Sequence, residues 1–91
     1  FYDVFPIPEA PGQTGLFIAD ASGHGPSAAV VAAMVAALLR AYPGSWDSPG
    51  AVLGHLNDEL MKKTINHSFV TAYLGIFDGR DRTLRFSSAG H

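Results

Sequence analysis

The stretch Leu16-Phe17-Ile18-Ala19-Asp20-Ala21-Ser22-Gly23-His24-Gly25-Pro26 decides how the chain folds. An apolar run of strand character meets a carboxylate, then a glycine-punctuated turn. Pro26 follows, suited to a first helical position because the N–H it lacks has no intrahelical partner there. Asp20 therefore lies where a strand ends and backbone N–H groups begin to point outward, a place for chemistry.

Working outward, Ser27 to Tyr42 is rich in Ala and Leu and free of internal Gly or Pro, which predicts a helix. Its apolar residues run nearly all the way round, so the pattern predicts burial rather than an amphipathic surface helix. Pro43-Gly44 ends it. Ser48-Pro49 opens a second helix by cap and first-turn proline. Val52, Leu53, Leu56, Leu60 and Met61 keep a helical period there, with Asn57, Asp58, Lys62 and Lys63 toward water and Glu59 and Lys63 as an i,i+4 pair. The two helices read as an antiparallel hairpin.

On the N-terminal side, Tyr2 to Ile7 predicts a strand that fades at the prolines, and Gly15 to Ala19 a second strand, joined by a loop around Pro11-Gly12. On the C-terminal side, Phe69 to Phe77 is the strongest strand signal. Val70, Ala72, Leu74 and Ile76 share one face, and Phe69, Thr71, Tyr73 and Phe77 the other. Both faces are mostly apolar, so helices are expected on one and a second sheet on the other. Asp78-Gly79 turns the chain into a last strand, Thr83 to Ser88, with Leu84 and Phe86 inward and Arg85 outward. The order ββ-αα-ββ with antiparallel pairs predicts an α+β layered domain rather than a βαβ fold.

The composition narrows the function classes. A net charge of −2 leaves no basic footprint for nucleic acid. No Cys means no disulfide, thiol nucleophile or thiolate zinc site, which fits a cytoplasmic protein. The longest apolar run, Ala28 to Leu39, is shorter than the ~20 residues of a membrane span. An apolar content of 47% against 15% charged is core-rich for 91 residues, and strand-like runs begin at Phe1 and end just before Ala89-Gly90-His91, so residues 1–91 read as part of a larger domain.

Two functional readings of the opening stretch compete, each with a plainer alternative. If the first hairpin turns near Pro11-Gly12, Asp3 falls opposite Asp20, and two facing carboxylates call for a proton or a hard divalent cation between them. The plainer reading makes Asp20 an Asx-turn residue and Asp3 a solvated edge residue. Alternatively, Ser22-Gly23-His24-Gly25-Pro26 is an anion-binding loop at a helix N-terminus, or simply a tight connection. It lacks the Gly-Lys-Ser/Thr of a Walker A loop and the βαβ setting of a dinucleotide fingerprint. His24, His55, His67 and His91 show no metal-ligand spacing, and Ser22 lies in no nucleophile elbow.

Taken in order, Phe1-Tyr2-Asp3-Val4-Phe5, Ile18 through Ala29, Asn57-Asp58-Glu59-Leu60, Phe69-Val70-Thr71-Ala72 and Ala89-Gly90-His91 resemble successive blocks of the SpoIIE/RsbU-type bacterial serine phosphatases, within the metal-dependent, protein phosphatase 2C-like superfamily. The resemblance implies an α-β-β-α sandwich of antiparallel sheets with two Mn²⁺ or Mg²⁺ ions at one end. Those ions hold a water that attacks phosphoserine or phosphothreonine directly. It makes Asp20 a metal-ligating carboxylate and the Ala21 carbonyl a further ligand, with Gly23, His24 and Gly25 shaping the turn and Asp3 at a position the family keeps acidic. Residues 1–91 then form a partial catalytic domain, because the family's Gly-Gly-Asp block would precede Phe1 and its later Asp-Gly block would follow His91. The chain alone is expected to be inactive. The resemblance also implies a phosphoprotein substrate, such as a STAS-domain anti-sigma-factor antagonist, and an upstream sensor or receiver domain. Two alternatives stand beside it: a phosphatase-like interaction module without catalysis, and a small phosphate- or nucleotide-binding α+β module.

Overall fold

The computed structural model describes residues 1–21, 26–63 and 70–89. Four strands, β1 (Tyr2–Pro6), β2 (Gln13–Ala21), β3 (Val70–Asp78) and β4 (Thr83–Ala89), form one antiparallel sheet in the order β1-β2-β3-β4. Two helices, α1 (Pro26–Arg40) and α2 (Pro49–Lys63), connect the central strands β2 and β3. The architecture is α+β with the ββ-αα-ββ order that the sequence predicts.

The sheet alternates faces, and the helices take one of them. Phe17, Ala19, Ala72, Leu74 and Ile76 from β2 and β3 bury against Val31, Val35 and Leu39 of α1 and Val52, Leu53 and Leu56 of α2. The partner pairs Phe17↔Leu74 and Ala19↔Ala72 place this core in the two central strands, as period-two alternation requires. Gly15 is needed at its position: a Cβ there would lie 2.7 Å from the Phe5 ring, which crosses over β2. Helix α1 is less enclosed than its composition predicts. Its i, i+4, i+8 residues Val31, Val35 and Leu39 are buried, but Val30 is 58% exposed and Ala29, Ala33 and Ala37 face out. An Ala-rich helix lacks polar residues to mark its outer face, so its pattern overstates burial.

The first hairpin turns earlier than the Pro11-Gly12 reading predicts. Two turns follow one another, closed by Ala10 N–H to Ile7 C=O (3.3 Å) and Gln13 N–H to Ala10 C=O (3.1 Å). Each has proline second and a positive φ third, Pro8-Glu9 with Glu9 at 59° and Pro11-Gly12 with Gly12 at 85°. The extra turn shifts the register so that Asp3 pairs with Phe17, not Asp20. An odd shift sends a side chain to the other face. Asp3 thus lies on the helix side, where its Oδ2 accepts from Arg40 Nη2 at 2.9 Å.

The last strand is also turned over relative to expectation. Ile76↔Arg85 puts Arg85 on the helix side, and Leu84 (56% exposed) and Phe86 (65%) stand on the opposite face. There they join Tyr2, Val4, Leu16, Ile18 and Phe77 in an apolar surface across all four strands. Phe86 stacks on Tyr73 at 5.9 Å. The predicted Glu59–Lys63 pair depends on Lys63, whose side chain is outside those described, and His67 lies outside the described residues.

Candidate metal-binding strand end

Asp20 is the penultimate residue of β2, on the open face of the sheet and directly across from Thr71 of β3. The Thr71 hydroxyl donates to the Asp20 carbonyl at 3.5 Å. The two strands therefore fix the backbone of Asp20 while its carboxylate projects into solvent. Among the described residues that carboxylate has no hydrogen-bond or ion-pair partner. Ala21, the last residue of the strand, supplies the next carbonyl.

An exposed carboxylate with open lone pairs, followed by a strand-end carbonyl, is a hard oxygen donor set of the kind Mg²⁺ or Mn²⁺ takes, with waters and phosphate oxygens completing its shell. Among the described residues no three His, Cys, Asp or Glu gather into a cluster. Gly23, His24 and Gly25 lie outside the described residues. Asp3 does not join Asp20, because register and its bond to Arg40 hold it on the other side of the sheet. Thr71 is the neighbour that residue chemistry did not single out. Register alone could have found it, since only strand pairing brings positions so distant in sequence together.

Comparison with protein families decides what kind of chain carries this strand end. The family described as Stage II sporulation protein E (SpoIIE) matches residues 10–91. The chain belongs to the SpoIIE family. The match spans β2 through β4 and both helices, so Asp20, Thr71 and the helix pair all fall within the SpoIIE region. SpoIIE membership makes this a phosphatase-type domain, with a phosphoprotein as the class of substrate. A search of curated proteins finds no match. Among the described residues no helix is long and apolar enough to cross a membrane.

Proposed function

We propose that the chain is part of a metal-dependent phosphoserine/phosphothreonine phosphatase domain, with Asp20 and the Ala21 carbonyl binding one divalent cation, Mn²⁺ or Mg²⁺. The observation that carries this reading is the Asp20 carboxylate, without a partner among the described residues and held at a strand end by β3 within a SpoIIE-family chain. Asp20 and the Ala21 carbonyl would hold the ion, which would supply a bound water of lowered pKa and positive charge toward the phosphoryl oxygens. This chain's own part is to fix the donor. The paired strands set the Asp20 backbone, and Thr71 ties the two strands together at that point. The open apolar face supports the partial-domain reading, since a second sheet packed about 10 Å away would complete an α-β-β-α sandwich. The phosphoprotein substrate is a signalling protein, with a STAS-domain anti-sigma-factor antagonist as the first to test, and a sensor or receiver domain governs the site.

The intact protein assayed with Mn²⁺ on a phosphoserine substrate tests the reading. Asp20→Asn keeps the shape and removes the charge, and it is expected to lower kcat/KM by at least about 100-fold, the scale of losing a group that supports a catalytic metal. Unchanged activity in the variant would overturn the assignment. Absence of activity in the parent, with phosphoprotein binding retained, would favour the interaction-module reading.

A further inference from the structure

Two grooves flank Trp46, the first on the side of the sheet opposite the Asp20 carboxylate and the second at the Gln13 end of β2. One, of about 240 Å³, is lined by Phe5, Pro6, Pro8, Leu39 and Trp46, and its single ion pair, Asp3 with Arg40, is closed on itself. The other, of about 370 Å³, shares Pro8 and Trp46 and is lined by Tyr42, Glu9 and Asp47. The rings are held in place by one another. Trp46 meets Phe5 edge-on at 5.5 Å and Tyr42 at 5.2 Å, and Tyr42 meets His55 at 5.3 Å. Glu9 and Asp47 are exposed, and among the described residues neither side chain has a hydrogen-bond or ion-pair partner.

The two grooves differ in chemistry. The first offers apolar walls with its charges already neutralised. The second joins two aromatic rings to two uncompensated carboxylates, the surroundings that favour a cationic side chain by charge and by ring quadrupole. The geometry points to a docking surface for an extended segment of a partner protein that carries an apolar residue and, two positions away, Arg or Lys. In an extended segment residues i and i+2 project to the same side, about 7 Å apart, which suits neighbouring grooves that share a wall. Left-handed Glu9 belongs to this surface: the Pro8-Glu9 turn that shifts the hairpin register also brings its carboxylate to the groove. From Gln13, which lines the second groove, β2 runs seven residues to Asp20, about 23 Å. The first groove reaches Asp3 on the helix side of the sheet, so docking here is separate from the proposed metal site on the open face.

Trp46 is the only tryptophan of the chain, so its fluorescence reports on this surface directly. The probe is acetyl-Leu-Gly-Arg-amide, with acetyl-Leu-Gly-Glu-amide as its charge-reversed control. The Arg peptide is expected to change Trp46 emission saturably and to move the amide resonances of Glu9, Tyr42 and Asp47. The Glu peptide is expected to bind about tenfold more weakly, as is the Arg peptide to the double variant Glu9→Gln, Asp47→Asn, because both exposed charge contacts are lost together. Trp46→Phe should abolish the emission signal and weaken the resonance shifts, because the wall shared by the two grooves loses its indole. No binding, equal binding of the two peptides, an unaffected double variant, or shifts centred elsewhere would each overturn the proposal.

Discussion

Single residues decide both the register and the electrostatics at the far end of the sheet. Asp78 is buried, 5% exposed, on the helix-side face of β3. Its carboxylate accepts from Arg80 Nε (3.2 Å) and Nη2 (3.1 Å), from the Arg80 backbone N–H (2.9 Å) and from Gln13 Nε2 (3.3 Å). The Arg80 side chain, then its backbone N–H, hold the acid down to about 2 from an ordinary 3.8, against the opposing pull of burial. A folded pKa below the unfolded one means the stabilisation is fully present above about pH 4 and is lost as pH falls toward 2. The urea midpoint of the parent minus that of Asp78→Asn should therefore be constant at neutral pH and shrink between pH 4 and 2. A difference independent of pH throughout that window would contradict the ion pair. Asp78 was legible only as a turn residue of Asp78-Gly79, because its ion pair depends on Arg80 folding back over it. Glu9 was not legible at all: a left-handed Glu runs against residue preference, and the shape of the Pro8–Gln13 loop imposes it.

At the scale of the element, capping chemistry was read well and helix faces less so. Ser48 and Pro49 begin α2 as their types predict, with the Ala51 N–H donating to Ser48 Oγ at 3.2 Å. That bond satisfies one of the N–H groups a helix start leaves without a partner. Ser48→Ala is expected to cost about 1 kcal/mol in denaturant unfolding and Ser48→Asp to retain the stability, since either oxygen can serve the same N–H. Equal losses in the two variants would show that the side chain matters for something other than capping. Helix α2 mixes charged and apolar residues, so its buried stripe Val52, Leu53 and Leu56 was plain from the sequence. In α1 the outer face is alanine with Val30 among it, and no polar residue marks it off from the buried Val31, Val35 and Leu39. Strand β3 announced its alternation, but β4 did not. Both Leu84-Phe86 and Arg85-Ser87 are consistent with a half-buried strand, and the four-residue loop between Asp78 and Thr83 chooses between them.

For the molecule as a whole, the class, the element order and Asp20 at a strand end follow from sequence, while the pairing of Asp3 with Asp20 fails on a register no local pattern encodes. The two sheet faces then differ in what they contribute. Ile76 is fully buried under the helices, so Ile76→Ala should cost about 2–5 kcal/mol through lost contacts and a residual cavity. Phe86 is larger but 65% exposed, and its main neighbour is the Tyr73 ring at 5.9 Å. In the 91-residue chain Phe86→Ala should cost less than about 1 kcal/mol, the value of an exposed aromatic pair. In a longer protein whose second sheet packs on this face, the same substitution would empty a core position and cost about 3–5 kcal/mol. Comparing the two Phe86→Ala penalties by urea unfolding therefore tests the sandwich independently of activity. A small penalty in both settings would mean that the apolar face is not a core face, and the partial-domain reading would fall with it.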